Sequence, residues 1–405
     1  MQKKQHLPLY IQILLAIGLA IPTGILFKAY VPYIEWVGTL FLNGLKLAVI
    51  PLIFSSIITG MVSMGSGENF GRISLKTISF YVITTIIAGV IGLLSMNIFQ
   101  PGKNVSIQVT TILEIESTET VTFQSIINQL VPSNLFKAFI ENNLLGVLVF
   151  AVLLGFSINK LTPQRRDSLK SFFDSLFHAM LNMINLILKI APFGVFAITA
   201  NIVAKQTEMG SFLTSLGGFM MVVLLGLFIH ALVVLPVILY SFRINGYKHL
   251  FNMKNTLLTA FSTSSSNATL PVAMNDVEEL SGVSNKITSF TLPLGSTINM
   301  NGTALYECVT AMFIAQVYGI DLSITQQIII VFTALLSAIG TPGMPMASLV
   351  TMSIVLTAVG LPLEGISLII AVDRIMDMFR TTVNVFGDTC GAVVVAKTEG
   401  ETLRV

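Results

Sequence analysis

Residues 262–271, Ser-Thr-Ser-Ser-Ser-Asn-Ala-Thr-Leu-Pro, place a run of polar side chains inside an apolar segment. A second interruption, Gly-Thr-Pro-Gly-Met-Pro, occupies residues 340–345. The apolar arms on either side of each interruption are too short to cross a bilayer separately, because a spanning helix needs about 20 mostly apolar residues. Unpaired backbone does not face lipid, so such breaks occur inside protein or beside a water-filled cavity. The pattern predicts two re-entrant helical hairpins whose tips meet near mid-membrane.

The composition of the whole chain also indicates a membrane protein. Hydrophobic residues make up 54% of its 405 positions and charged residues 10%, whereas about a quarter of the residues of a soluble domain are charged. The charged residues are too few to cover a water-exposed surface, so lipid is expected to face much of it. No block of like charges suggests a nucleic-acid partner. Cys308 and Cys390 lack metal-ligand spacing and are expected to be small buried residues.

Apolar stretches predict the first six spanning helices and an orientation. The stretches are roughly 8–28, 34–63, 77–99, 138–160, 172–201 and 213–242. Lysine and arginine collect near the N-terminus and in the 64–76, 160–170 and 243–254 connections. Short basic loops stay on the cytoplasmic side, so we expect a multi-pass protein of the cell membrane with a cytoplasmic N-terminus. The polar 100–137 stretch is expected to be an extracellular excursion.

The last predicted span, roughly 362–396, carries ionisable and amide side chains at helical spacing. Steps of four, three, four and four residues separate its polar members, which at 100° per residue fall on one helix face. These members are Asp373, Asp377, Arg380, Asn384 and Asp388. Ionisable groups are costly in a membrane and mark transport pathways. The face therefore predicts a functional site, with a structural ladder of ion pairs as the alternative.

The residue types on this face indicate a substrate class. The Arg380 guanidinium suits a carboxylate, which it binds with two hydrogen bonds, and Asp377 could hold an ammonium group. Together they predict an acidic amino acid, although an Asp377–Arg380 pair could instead neutralise itself. Asp388 and the carbonyls of the asparagine-rich turn at 299–303 form an oxygen set suited to Na⁺. Glu307 is a candidate proton carrier, or else a hydrogen-bonded structural glutamate.

Four motifs carry a resemblance that covers essentially the whole chain. They are the serine-rich stretch Ser264–Pro271, NMNGTALYE at 299–307, GTPGMP at 340–345 and DMFRTTVNVFGD at 377–388. With these motifs the chain resembles the glutamate transporter family, the dicarboxylate/amino acid:cation symporters. The resemblance implies an all-α polytopic fold of eight transmembrane helices plus two re-entrant hairpins. It also implies a homotrimer, an elevator-type transport domain moving against a scaffold, and cytoplasmic N- and C-termini.

The resemblance further implies a division of the chain. Scaffold helices 1 and 2 would occupy residues 1–76, transport-domain helix 3 residues 77–99, and the extracellular excursion residues 100–137. Scaffold helices 4 and 5 would follow at 138–201. The transport domain would continue through 202–405 with helix 6, the first hairpin, helix 7, the second hairpin and helix 8.

Substrate ligands follow from the resemblance, residue by residue. The side-chain carboxylate of aspartate or glutamate would bind Arg380 and Thr303, the amino group Asp377 and Thr381, and the main-chain carboxylate Ser266 and Asn384. Ser265 and Met344, at the two hairpin tips, complete the implied set.

Coupling ions are implied in the same way, and no organic cofactor is expected. One sodium site would consist of Asp388 with carbonyls of Gly295, Asn299 and Asn384. A second would consist of Thr297 with Ala338, Ile339 and Thr341. The third would use Tyr81, Thr84, Thr85, Asn299 and residue 301.

The sequence departs from the family pattern at the third sodium site. The usual NMDGT is Asn299-Met300-Asn301-Gly302-Thr303 here, so an uncharged amide replaces a carboxylate and sodium should bind there weakly or not at all. Glu307, present in proton-coupled members of the family, predicts that a proton replaces one sodium ion. The second arginine usual near the site is absent from Ser264 and Met378, which argues against potassium counter-transport.

Other functions remain as alternatives. A symporter of C4 dicarboxylates or neutral amino acids would keep the fold, but Asp377 would repel a second carboxylate and Arg380 would be unpaired with a neutral substrate. An intramembrane protease would need paired carboxylates on facing helices, and these lie on one helix. A passive anion channel would not require the oxygen ligands around Asp388. The protein is therefore not expected to be an enzyme.

Overall fold

The computed structural model of the protein describes residues 9–63, 68–104, 132, 134–140, 144–205, 209–340 and 347–405. Within these ranges the secondary structure is helical and contains no β-strand. The first helices are α1 (Leu9–Leu26), α2 (Glu35–Ser63), α3 (Glu68–Phe99), α4 (Leu135–Ile140), α5 (Leu144–Asn159), α6 (Pro163–Leu188), α7 (Ala191–Lys205), α8 (Met209–Ile229) and α9 (Leu235–Ser241). They are followed by α10 (Gly246–Asn252), α11 (Lys254–Thr263), α12 (Ser266–Asp276), α13 (Asn285–Ile298), α14 (Asn301–Val317), α15 (Ile324–Gly340), α16 (Ala347–Ala358) and α17 (Ile366–Thr398).

Short segments of other helix types join several of these α-helices. Three are 3₁₀ turns, at Lys28–Tyr33, Pro101–Asn104 and Leu363–Gly365. Two are π-helical, at His230–Val234, which joins α8 to α9, and at Val277–Ser281, which follows α12. A π-turn inserts an extra residue into the helical ladder and is frequent near functional sites.

Two helical stretches of the described chain are long and apolar enough to cross a membrane. They are Arg72–Phe99, with a mean hydropathy of 2.1, and Leu213–Ser241, with a mean hydropathy of 2.9. Shorter apolar helices lie at Ile11–Leu26, Ile50–Val62, Val149–Asn159, Ala191–Asn201 and Ile324–Ala338. Many large apolar side chains are exposed on the outer surface, including Leu26, Trp36, Leu47 and Ile98. This apolar exterior is what contact with lipid requires.

The prediction of one continuous helix over 172–201 is wrong. The structure breaks it at Lys189 and Ile190, between α6 and α7. Both residues donate their N–H groups three residues back, to Leu186 and Ile187. Pro192 lacks an N–H and tolerates only the first turn of a helix, so α7 restarts just before it.

Helix α3 begins earlier than the apolar pattern predicted. It starts at Glu68, so residues 68–76 of the predicted 64–76 connection are helical. Arg72 and Lys76 in this first part both contact Glu399 at the end of α17. Tertiary contacts of this kind stabilise a polar helical extension that hydropathy does not detect.

The helices form two packed groups. The N-terminal helical group consists of α1, α2 and α5–α7. Helix α1 packs on α7, and α2 packs on α5, α6 and α7. Glycines permit its closest approaches: a Cβ on Gly24 would lie 2.6 Å from the Ala200 carbonyl oxygen, and one on Gly194 would lie 2.5 Å from Phe41. Small residues commonly let membrane helices approach in this way.

The C-terminal helical group consists of α3 and α8–α17. Helix α14 lies at its centre, against α3, α8, α15 and α17, and 16 of its 17 residues are buried. Helix α17 also packs on α11 and α13. Across the boundary between the groups, α17 contacts α7, and α15 and α16 contact α2.

The serine-rich stretch forms a sharp connection between two packed helices. Helix α11 ends at Thr263, Ser264 adopts a left-handed conformation with φ of 50°, and Ser265 caps α12 by accepting a hydrogen bond from the Ala268 N–H at 3.2 Å. Serine is a favoured N-cap because its oxygen satisfies a free N–H of the first turn. The hydroxyl run therefore reverses the chain direction while one of its serines pairs the Ala268 N–H of the first turn.

Helices α15 and α16 also pack against each other, as the arms of a second hairpin would. The predicted tip at 340–345 lies outside the described residues except for Gly340, the last residue of α15. Thr341 and Met344, expected to bind sodium and substrate, fall in this part of the chain. Most of the 100–137 stretch also lies outside the described residues.

Candidate functional site

The polar face of α17 points into the C-terminal helical group. Its members are all buried, with 0% exposure for Asp373, 6% for Asp377, 1% for Arg380, 3% for Asn384 and 4% for Asp388. The 33-residue helix is continuous, so the predicted spacing brings them onto one interior face.

Arg380 lies between two carboxylates. Its Nη1 donates to Asp373 Oδ1 at 3.1 Å, and its Nη2 donates to Asp377 Oδ1 at 2.8 Å. Asp377 also lies 3.5 Å from the Arg374 guanidinium. Asp377 and Arg380 therefore form an ion pair and neutralise each other, which is the arrangement that the sequence left as an alternative. Removing one member of such a buried cluster is strongly destabilising, by about 3–5 kcal/mol.

Tyr306 is a site residue that the sequence reasoning missed. Its ring lies under the Arg380 guanidinium, with 4.1 Å between the guanidinium carbon and the ring centroid. A desolvated cation over an aromatic face gains about 2 kcal/mol. The signal was available: Tyr306 follows Thr303 by three residues, so it lies on the same side of α14 as a predicted substrate ligand. The Tyr306 ring therefore helps to hold the Arg380 guanidinium in position.

A break in the helical chain brings backbone groups to α17. The unwound turn, predicted over 299–303, is shorter in the structure: α13 ends at Ile298 and α14 begins at Asn301, so only Asn299 and Met300 lie outside the helices. Residues 301–303 instead form the first turn of α14. The Asn384 side chain meets the start of α14, where its Oδ1 accepts from the Gly302 N–H at 2.7 Å and its Nδ2 donates to Thr303 Oγ1 at 3.2 Å. Arg380, Asn384 and Thr303, three predicted substrate ligands, therefore lie together.

Close packing at Gly302 explains part of this arrangement. A Cβ there would lie 2.7 Å from the Arg380 carbonyl oxygen, so no larger residue fits without moving α17. Thr381 is also buried on α17, one residue beyond Arg380. Ser266 is buried in the first turn of α12, and Phe261 of α11 packs edge-on against Phe379 of α17, with ring centroids 5.1 Å apart. The serine-rich connection and the α17 face thus belong to one packed unit.

Oxygen atoms converge around Asp388. Asn299 Nδ2 donates to Asp388 Oδ1 at 2.8 Å and to the Asn384 carbonyl at 3.2 Å. Asn299 Oδ1 is buried and has no hydrogen-bond partner among the described residues. A Cβ on Gly295 would lie 2.7 Å from Asp388 Oδ1 and 2.8 Å from the Tyr81 hydroxyl, so only glycine allows this approach. A carboxylate, an unpartnered amide oxygen and nearby carbonyls suit a hard cation such as Na⁺.

The third predicted sodium site has a different character. Thr85 Oγ1 donates to Asn301 Oδ1 at 2.7 Å, and Asn301 Nδ2 is a buried donor without a hydrogen-bond partner in the described part of the chain. Tyr81 donates to the Thr291 carbonyl at 3.0 Å and Thr84 to the Phe80 carbonyl at 2.8 Å. An unpaired amide N–H repels a cation, so the set fits sodium poorly at this position.

The second predicted sodium site is described only in part. Ala338 is buried, and α15, which also includes Ile339, contacts α13, which includes Thr297. The Thr297 hydroxyl donates within its own helix, to the Leu294 carbonyl at 2.9 Å. The two helices therefore lie together. Because the Thr297 hydroxyl proton is already donated, its oxygen could bind a further ligand only as an acceptor.

Glu307 forms a small polar cluster with hydroxyls of two other helices. Ser337 Oγ donates to its Oε2 and Thr351 Oγ1 donates to its Oε1, each at 2.5 Å. These two hydroxyls belong to α15 and α16, so a single buried carboxyl contacts both arms of the predicted second hairpin. The sequence reasoning missed both hydroxyls, because a serine or threonine in an apolar helix usually bonds its own backbone.

Comparison with known proteins identifies the family of the chain. A model of the sodium:dicarboxylate symporter family matches residues 9–398. The chain is 37% identical over 399 residues to the proton/sodium-glutamate symport protein of Bacillus subtilis (strain 168), an alignment that covers 96% of this chain and 92% of that protein. It is 35% identical to excitatory amino acid transporter 1 of Ambystoma tigrinum, with coverages of 90% and 77%. Human excitatory amino acid transporter 3 is also 35% identical, with coverages of 94% and 84%. The chain is a membrane protein that belongs to the sodium:dicarboxylate symporter family.

Proposed function

We propose that the protein is a secondary active symporter of L-aspartate and L-glutamate, driven by a sodium gradient, a proton gradient or both. The observation that carries the proposal is the buried Arg380, held between Asp373 and Asp377 beside the helix break at Asn299–Met300. The names of the relatives, proton/sodium-glutamate symport protein and excitatory amino acid transporter, support it.

Substrate recognition would exchange one ion pair for another. A substrate carboxylate that binds the Arg380 fork replaces Asp377, and the freed Asp377 carboxylate accepts the substrate ammonium group. Thr303 adds a hydroxyl to the first interaction and Thr381 one to the second. Ser266 and Asn384 hold the main-chain carboxylate, with Ser265 and Met344 completing the enclosure. The substrate adds one net negative charge through its main-chain carboxylate, so a coupled cation is needed to balance the buried site.

The same exchange disfavours the two alternative substrate classes. A C4 dicarboxylate has no ammonium group, so Asp377 would face its second carboxylate as a like charge. A neutral amino acid would give Arg380 no carboxylate in exchange for Asp377. Because a site with unpaired buried polar groups rejects an analogue strongly, the buried carboxylate–guanidinium–carboxylate cluster favours acidic amino acids.

Sodium would be held by Asp388 with Asn299 and the carbonyls of Gly295 and Asn384. Its charge would compensate the Asp388 carboxylate and favour the closed turn at residues 299–300. Thr297, Ala338, Ile339 and Thr341 would supply a second site. At the third, formed by Tyr81, Thr84, Thr85, Asn299 and Asn301, the unpaired Asn301 amide N–H argues for weak or absent binding.

Glu307 is the proposed proton carrier. Its carboxyl is fully buried and contacts hydroxyls from α15 and α16. A protonated carboxyl donates one hydrogen bond, whereas a carboxylate only accepts. Loss or gain of the proton therefore changes how Ser337 and Thr351 are paired, and with them the contact between the two hairpin arms.

The proposed architecture has eight transmembrane helices and two re-entrant hairpins, with both termini in the cytoplasm. Residues 1–76 and 138–201 would form the scaffold, and residues 77–99 and 202–405 a transport domain that moves like an elevator; residues 100–137 would be extracellular. The assembly would be a homotrimer. Contacts are denser within the N- and C-terminal helical groups than between them, which supports this division, although the first part of α3 contacts the end of α17.

The function is tested by uptake of radiolabelled L-aspartate into proteoliposomes. An inward sodium gradient and an inward proton gradient are imposed separately, on wild-type protein and on Glu307→Gln. The proposal predicts uptake against a concentration gradient in the wild type, and loss of its pH dependence in Glu307→Gln. Absence of aspartate and glutamate uptake under both gradients would contradict the proposal.

A further inference from the structure

His249 forms a buried polar link between the base of the serine-rich hairpin and α17. It lies in α10 with 0% exposure, and both ring nitrogens are paired. Nδ1 lies 2.9 Å from Ser281 Oγ, and Nε2 lies 3.1 Å from Thr389 Oγ1. Its ring stacks on Phe386, with centroids 6.0 Å apart and an angle of 24° between the planes. Two hydrogen bonds and one ring contact therefore orient the imidazole.

The hydrogen bonds of this link run in one direction. The Thr389 hydroxyl donates to the Phe386 carbonyl at 2.8 Å, so it accepts from the histidine and Nε2 carries the proton. A neutral ring then has an acceptor at Nδ1, which takes the hydrogen bond of the Ser281 hydroxyl. The chain of donors runs from Ser281 through His249 and Thr389 to the backbone of α17.

The Ser281 end of the link is itself fixed. Ser281 closes the π-helical segment Val277–Ser281, and its carbonyl accepts from the Arg404 N–H at 2.9 Å. The Arg404 guanidinium also donates to the Glu279 carbonyl. The link therefore spans from a segment that is tied to the chain end to the middle of the buried α17 helix.

The Thr389 end adjoins the proposed sodium site. Thr389 directly follows Asp388, and the preceding Gly387 packs so closely that a Cβ there would lie 2.7 Å from Asn299 Nδ2 and 2.8 Å from Asn301 Nδ2. Asp388 accepts from that same Asn299 nitrogen. A small rotation of α17 at residues 386–389 would therefore change the distance between Asp388 and Asn299.

We propose that His249 is a positioning residue for sodium binding: through Thr389 it holds the turn of α17 that presents Asp388 to Asn299. The inference rests on the proposed sodium-coupled function and adds a residue that touches neither sodium nor substrate. It also connects α10, at the entrance to the serine-rich hairpin, with the ion site. Tightening of that hairpin base and binding of sodium would then favour each other, because both stabilise one position of this turn.

The test compares variants that keep or remove the hydrogen bonds of the ring. His249→Phe keeps an aromatic ring against Phe386 and loses both bonds, whereas the His249→Gln amide is able to accept from Ser281 and donate to Thr389. Thr389→Val removes the other partner at similar volume. The exposed His178 on α6 supplies the control, His178→Phe. L-Aspartate affinity is measured by calorimetry on purified full-length protein over a series of sodium concentrations, which also gives the sodium concentration for half-maximal affinity.

We expect His249→Phe and Thr389→Val each to raise this sodium concentration about fivefold, as the loss of a buried hydrogen bond at the site implies. Aspartate affinity at saturating sodium stays at the wild-type value. His249→Gln recovers most of the sodium affinity, and the double variant His249→Phe/Thr389→Val is no worse than either single one, because both remove the same link. His178→Phe matches the wild type.

Two results would overturn the inference, and they are distinguishable. Unchanged sodium dependence in both His249→Phe and Thr389→Val, with a sodium-dependent wild type, removes the positioning role alone. A wild type whose aspartate affinity ignores sodium overturns the proposed sodium site and this inference with it. If His249→Phe does not fold, Thr389→Val decides the outcome by the same criterion.

Discussion

The two helical groups are stabilised by different kinds of contact. In the described part of the N-terminal helical group the buried polar side chains are Ser55 and Thr199, and the Ser55 hydroxyl bonds its own helix at Pro51. Its helices meet mainly through glycines and apolar side chains, with two part-buried amide hydrogen bonds to α2: Asn159 Nδ2 donates to the Met61 carbonyl at 2.7 Å and Asn201 Nδ2 to Glu35 Oε1 at 2.8 Å. The C-terminal helical group instead buries a guanidinium, carboxylates, amides and hydroxyls that bond between helices.

This difference supports placing the proposed site in the C-terminal helical group. Apolar contacts between glycine-rich helices give shape at little electrostatic cost, and lipid offers no competing driving force. Buried charges cost several kcal/mol each in a membrane, and proteins retain them where ions or substrates pass. The comparison therefore predicts that substitutions in the C-terminal helical group change affinity for ligands, whereas substitutions in the N-terminal helical group change stability alone.

The largest effect is expected from Arg380→Ala. The variant removes the substrate's carboxylate partner and takes away the guanidinium that lies between the buried Asp373 and Asp377 carboxylates. L-Aspartate and L-glutamate affinity should fall by at least about 100-fold, measured by calorimetry at saturating sodium. Arg380→Lys is the matched variant; it keeps the charge without the planar fork and should recover only part of the affinity. Wild-type affinity in Arg380→Ala would remove this residue from the site.

A smaller, opposite effect is expected from Asn301→Asp. The change replaces a buried, unpaired N–H with a charged oxygen beside Thr85, which suits a cation. The sodium concentration for half-maximal aspartate affinity should fall about tenfold, roughly 1.4 kcal/mol, and its sodium dependence should become steeper. Thr85→Val in the same background should reverse part of the gain. A variant indistinguishable from the wild type would show that no cation binds at Asn301.

In the N-terminal helical group, Gly194→Leu should lower stability and nothing else. A Cβ at this position already falls 2.5 Å from Phe41, and overpacking of this kind typically costs about 1–3 kcal/mol. We expect a lower thermal midpoint in detergent with unchanged aspartate affinity in the folded fraction. Gly18→Leu, at a glycine with open space around it, is the matched control. A loss of aspartate affinity in Gly194→Leu would break the separation between the two groups.

The smallest effect is expected from Glu399→Gln, outside the spanning part of α17. Arg72 and Lys76 donate hydrogen bonds to this carboxylate at 2.5 and 2.6 Å and hold its pKa below the usual value of a glutamate. The Glu399 carboxylate therefore stabilises the folded protein at neutral pH, and this contribution disappears as the pH falls through that lowered pKa. Because the Arg72 side chain is largely exposed, the thermal midpoint at pH 7 should change by less than about 2 °C. A larger loss, or one that persists at pH 3, would contradict this assignment.

Sequence patterns predicted the features that repeat along one element. Local spacing or residue type predicts three of them: the shared face of α17, an unwound turn that begins at Asn299, and the reversal at Ser264–Ser265. Contacts between distant elements were not predictable in this way. Such contacts depend on which helices pack together. They include the Tyr306 ring under Arg380, the hydroxyls of Ser337 and Thr351 around Glu307, and the hydrogen bonds of His249. Hydropathy failed at α6–α7 and at the start of α3, where proline chemistry and tertiary ion pairs decide the helix ends.

The central claim, recognition of an acidic amino acid through exchange at the Asp373–Arg380–Asp377 cluster, is tested most directly by competition between L-aspartate and succinate. Binding of both is measured on the wild type and on Asp377→Asn, at saturating sodium. The account predicts that the wild type prefers aspartate by at least about tenfold and that Asp377→Asn loses this preference, because the variant has no carboxylate for the ammonium group. A wild type that binds succinate as tightly as aspartate, or an Asp377→Asn variant that keeps the preference, would contradict it.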